Sequence, residues 1–164
     1  MNPPDPQDSC LAFARCAEME RIMAELYQFF AQTHRRWNDL YRLWTKTARE
    51  EENHARQFEL AERMAGDVEA LHITAEQAAG LVAGMRRVLD QVRETPPSPI
   101  QALEQAVRLE QRLAKFHLTS LAEFAQPTTR KLFEAMLAAD QEHVAALERR
   151  LEVERKRSVE PPPE

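Results

Sequence analysis

Six residues of this chain combine reactive side chains with suggestive spacing: Glu20, Glu51, His54, Glu110, Asp140 and His143. Glu51 with His54 and Asp140 with His143 each form an acid-x-x-His pair. Glu20 precedes Glu51 by 31 residues and Glu110 precedes Asp140 by 30, so the two halves of the chain repeat one arrangement. An acid and a His three apart on a helix differ by about 60° in direction and can reach one metal from one face. Four carboxylates and two imidazoles form a donor set suited to two divalent transition metals.

The positions of these acids within the hydrophobic pattern strengthen the reading. Apolar residues recur every three or four positions in four stripes. The first runs Phe13, Cys16, Glu20, Ala24, Tyr27, Phe30, and the second Leu40, Trp44, Thr47, Glu51, His54, Phe58, Ala61. The third runs Leu103, Ala106, Glu110, Leu113, His117, Leu121, Phe124, and the fourth Phe133, Met136, Asp140, His143, Leu147, Leu151. Each stripe carries an acid near its midpoint. Lone buried carboxylates are costly and repel one another, and cations at the centre would remove both penalties. A third acid-x-x-His, Glu69 with His72, lies just past Gly66 and Asp67 in what reads as a turn, and belongs to no stripe.

Helices must position these side chains. All ten prolines fall at 3–6, 96–99, 127 and 161–163, leaving 7–95, 100–126 and 128–160 free of them. Ser98, Pro99 and Gln101 form a capping box with proline at the first helical position, and Thr74 opens another helix. The spacing predicts helices over about 8–33, 37–65, 75–94, 99–125 and 128–155, with no sustained alternation or hairpin turn that would signal strands. Four of these are long, about 40 Å each at 1.5 Å per residue, and suggest an all-α bundle. The helix at 75–94 falls in the connection between the second and third, within a crossover at 66–98, and 156–164 reads as a disordered tail.

A length of 164 residues suits a single domain. The 22 basic and 27 acidic side chains give a net charge of -5, against the basic excess that a nucleic-acid partner requires. No apolar run is long enough for a bilayer crossing, and the N-terminus lacks signal-peptide features, so the expectation is a cytoplasmic protein without a membrane partner. Cys10 and Cys16 point to different faces of one helical segment, and no C-x-x-C is present for a zinc or rubredoxin-type site.

These residues give the chain a resemblance to the ferritin-like di-iron carboxylate proteins and, within them, the rubrerythrins. It is carried by Glu20 with Tyr27 in Ala-Glu-Met-Glu-Arg-Ile-Met-Ala-Glu-Leu-Tyr, by Thr-Ala-Arg-Glu-Glu-Glu-Asn-His at 47–54, by Glu110 and by the Asp140 to His143 segment, over roughly 10–150. The resemblance implies a ferritin-like antiparallel four-helix bundle with a long crossover containing the extra helix. It implies two irons, with manganese or a mixed pair as alternatives, bridged by Glu51 and Asp140. Glu20 and His54 would complete one iron, and Glu110 and His143 the other. It also implies a homodimer.

Asp140 stands where the family normally has Glu, and Leu113 where rubrerythrins carry an additional Glu. Without a rubredoxin segment, electrons would come from a separate donor, a rubredoxin-like protein or a flavoprotein. Glu52 occupies the position at which bacterioferritins carry a haem-ligating Met, so no haem is expected.

Tyr27 and His117 lie seven residues past Glu20 and Glu110. Each could hydrogen-bond a ligand carboxylate, with ligation itself open to His117 and an ordinary core role to Tyr27. Cys16 reads as a small buried residue, Trp37, Trp44, Met19 and Met23 as core or interface, and His34 and His72 as surface positions near helix ends. The functional expectation is a di-iron oxidoreductase reducing hydrogen peroxide or dioxygen. A ferroxidase or iron-storage protein of ferritin type is one alternative, and a helical interaction module with a vestigial metal site is another.

Overall fold

At three of the helix starts a side chain just ahead of the helix satisfies one of its first N–H groups. The computed structural model describes residues 4–113 and 122–159, with the backbone alone at 132, 135–142 and 159. Helix α1 (Pro6–Thr33) starts with proline at its first position, and the Asp5 side chain accepts from the Gln7 N–H at 2.9 Å. Helix α2 covers Asn38–Arg63 and α3 covers Ala75–Glu94. Thr74 caps α3 reciprocally: the Gln77 N–H donates to the Thr74 hydroxyl, and the Thr74 N–H donates to the Gln77 side chain. Ser98 and Gln101 make the same exchange at the head of α4 (Pro99–Leu113), and α5 spans Pro127–Val159.

Helices dominate, but a two-stranded antiparallel ribbon interrupts them. A 3-10 turn at Ala65–Asp67 leads into β1 (Val68–Leu71), which pairs with β2 (Ala122–Phe124), Val68 opposite Phe124 and Leu71 opposite Ala122, with a bulge between Val68 and Ala70. This corrects the helix expected over 99–125: α4 is described to Leu113, and Phe124 is a strand residue. His117 and Leu121 lie outside the described residues. The segment expected to be a turn around Glu69 is β1. At the other end, α5 continues through 156–159, where a tail was expected, and Lys156 pairs with Glu152 one turn earlier at 2.7 Å.

Residue contacts set the helix directions. Phe30 meets Trp44, His54 lies beside Glu20 and the Cys10 thiol donates to the Glu62 carbonyl, so α1 and α2 run antiparallel. Asp39 with Arg150 and Glu51 with His143 make α2 and α5 antiparallel, and Glu104 with Arg155 and Gln111 with Glu148 do the same for α4 and α5. Helix α3 lies parallel to α1, bridged by Arg86 to Glu18 and Arg93 to Glu25.

Two apolar clusters form the interior. One draws on all five helices, through Tyr27, Trp44, Leu89, Leu103 and Leu147 among others. The other gathers Phe13, Phe58, Val68, Phe124 and Phe133 around the ribbon, where Phe124 stacks on Phe133 with centroids 4.8 Å apart. Along α1 the clusters meet near Glu20, and along α2 they leave Glu51 and His54 between them. No helix among the described residues is long and apolar enough to cross a membrane.

Candidate metal centre

At that junction the acids of the first three stripes turn inward together, with the imidazoles of the second and fourth. Glu20, Glu51, His54, Glu110 and His143 are all buried, Glu51 with 2% and His143 with 3% of its surface exposed. They form two groups. The ligand atoms of Glu20, Glu51 and His54 lie within 4.8 Å of one another, as do those of Glu51, Glu110 and His143. Glu51 therefore belongs to both. His54 Nδ1 is 3.0 Å from Glu51 Oε2 and 4.0 Å from Glu20 Oε2. His143 Nδ1 is 3.3 Å from Glu51 Oε1, and its Nε2 is 3.8 Å from Glu110 Oε1.

The acid-x-x-His pair on α2 works through helix geometry: residues three apart share a face, so Glu51 and His54 reach the same side. Asp140 stands three before His143 on α5, but its side chain is outside the described set, as is His117. The structure thus brings together five of the six residues singled out from the sequence. The third acid-x-x-His separates from them: Glu69 is exposed on β1, and exposed His72 lies 3.2 Å from Glu123 on the ribbon.

Tyr27, fully buried on α1, donates its hydroxyl to Glu110 Oε1 at 2.5 Å. Burial, together with the negative charges of Glu110, Glu51 and Glu20, pushes its phenol well above the ordinary tyrosine range, so it remains a donor. Burial also raises the Glu51 carboxyl to about 7, the charge of Glu110 adding to the effect and His54 and Glu20 opposing it. Cys16, one turn before Glu20, is buried with its thiol pushed up to about 12 by desolvation and then by Glu20. It is a neutral, inert thiol.

Cations fit this arrangement on chemical grounds. The three described carboxylates converge in an apolar surround, where each added negative charge destabilises the next. The Thr47 hydroxyl, one turn before Glu51, is buried without a hydrogen-bond partner among the described residues. Carboxylate and imidazole donors together favour divalent first-row ions, and two ions sharing Glu51 would neutralise the excess charge.

Sequence reasoning undervalued two neighbours of the centre. Trp44, read as core or interface, stacks on Tyr27 with ring centroids 5.8 Å apart and planes 9° apart. His34, read as a surface residue, is 1% exposed. Its Nδ1 accepts from Trp44 Nε1 at 3.2 Å, and its Nε2 lies 3.0 Å from the Pro97 carbonyl, which fixes the neutral tautomer with the proton on Nε2. Burial holds this imidazole below its usual range, partly offset by the Pro97 carbonyl. The signal was available, because His34 continues the Tyr27, Phe30 stripe at helical spacing. Trp37, by contrast, is 47% exposed.

Compared with family models, curated proteins and solved structures, the chain has no match.

Proposed function

We propose that this chain is a rubrerythrin-like di-iron oxidoreductase on a ferritin-like four-helix bundle, reducing hydrogen peroxide or dioxygen with electrons from a separate donor. The observation that carries the reading is the pair of buried carboxylate–imidazole groups that share Glu51. Glu20 and His54 would hold one ion, Glu110 and His143 the other, and Glu51 both. Asp140 is the fourth carboxylate of the proposed set. Two ferrous ions bound there would supply one electron each to a two-electron oxidant.

The chain's own residues provide what such chemistry needs. Tyr27 fixes Glu110 through its hydroxyl and sustains the carboxylate's orientation. The apolar clusters on either side restrict water, which strengthens every electrostatic interaction in between. Leu113, half-buried against the larger cluster, offers no further carboxylate.

Rapid mixing of anaerobic, iron(II)-loaded protein with stoichiometric peroxide tests the proposal. The wild type should oxidise its iron rapidly, and Glu20→Ala and His54→Ala should abolish that phase. Equal rates in wild type and variants would contradict the assignment. Size-exclusion chromatography separates this reading, a small oligomer, from a ferritin-type storage cage.

A further inference from the structure

The aromatic side chains beside the centre do more than fill space. Tyr27, hydrogen-bonded to Glu110, stacks on Trp44 at 5.8 Å. The Trp44 indole N–H donates to His34, and the His34 ring lies edge-on to Trp37 at 6.0 Å. Tyr27 and Trp44 have no exposed surface, whereas Trp37 is about half exposed at the turn between α1 and α2. Both tryptophans and one of the two tyrosines of the chain stand in this single file. Tyrosine and tryptophan can each lose one electron reversibly, giving up no more than a proton with it. Exposed Arg35 and Arg36 precede Trp37 and favour an anionic species there.

We infer that Trp37, Trp44 and Tyr27, with His34 as the bridge between the tryptophans, form a one-electron conduit linking an anionic one-electron carrier at the surface to the buried carboxylate–imidazole centre. The inference deepens the di-iron reading and rests on it for the oxidant, the oxidised metal centre, but not for the path. An oxidant held at the centre would take one electron from Tyr27, whose phenolic proton would leave along its hydrogen bond to Glu110. Trp44 then reduces Tyr27, which recovers its proton, while the indole proton of Trp44 is held by His34 Nδ1. Trp37 reduces Trp44, the proton returns from His34, and the carrier reduces Trp37, which exchanges its proton with water. The net change is one electron from carrier to oxidant, and every ring ends as it began.

Flash photolysis of the metal-free protein tests the path without the metal. The probe is a photogenerated ruthenium(III) polypyridyl oxidant, too large to reach the buried rings. Tyr41→Phe is the parent variant, leaving Tyr27 as the sole tyrosine. An indole-radical absorption should appear first and decay into that of a phenoxyl radical. The phenoxyl signal should be lost in Trp44→Phe and equally in Trp37→Phe, whose exposed position spares the core. No phenoxyl signal in the parent, or one that survives both substitutions, would overturn the conduit. Failure of the protein to bind iron would overturn the di-iron reading and leave this result standing.

Discussion

Glu51 with His54 and Glu69 with His72 share one sequence pattern and have opposite fates. The first pair sits on α2, where residues three apart face the same way, and both members are buried within the group that includes Glu20. The second has only Glu69 in β1, with His72 one residue past the strand's end, so no shared helix face brings the two together. Glu69 and His72 are both exposed, and His72 pairs with Glu123 instead. The spacing thus gathers buried ligand-type side chains only where a helix carries it and an apolar stripe turns it inward.

Substitutions can break that contrast, beginning with the largest effect. Glu51→Ala should abolish metal loading, measured by elemental analysis, because Glu51 serves both groups. His54→Ala and His143→Ala should each remove about one of two ions, since each imidazole belongs to a single group. Equal and complete loss in both would mean that the two groups are not separable.

A pH experiment sharpens the contrast in the metal-free state. The folded Glu51 carboxyl titrates at about 7 against an ordinary value of 4.5, so the folded protein binds the extra proton between those values. Stability should therefore fall as pH rises from about 4.5 to about 7 and level off above, at a cost on the order of 3 kcal/mol. Glu51→Gln should remove that slope and melt higher than wild type at pH 8. An unchanged pH profile in the variant would contradict the burial argument. Tyr27→Phe is smaller: losing the donor to buried Glu110 should cost about 1–3 kcal/mol in thermal or denaturant unfolding. Smallest of all, Glu69→Ala and His72→Ala should change stability by less than about 0.5 kcal/mol and leave metal content unaltered.

The helices and the centre were legible because both depend on local periodicity. Thr74 and Ser98 announce their helices through short-range hydrogen bonds, and every described residue of the first two stripes is buried. The ribbon was not legible. Strands of four and three residues are too short to show alternation, and their pairing joins segments more than fifty positions apart. Phe124 continues a helical stripe by spacing yet packs as a strand residue between Phe13 and Phe133, so tertiary packing overrides the local pattern. His34 was missed for a related reason. Its position at the end of α1 suggested solvent, whereas its partners, Trp44 and Pro97, come from elsewhere in the chain.

Elemental analysis of wild-type protein purified after expression with iron, alongside Glu51→Ala and the Glu69→Ala, His72→Ala double variant, tests the central claim most directly. The two buried groups sharing Glu51 predict about two irons per chain in wild type and double variant and none in Glu51→Ala. No iron in the wild type, or equal iron in wild type and Glu51→Ala, would contradict it.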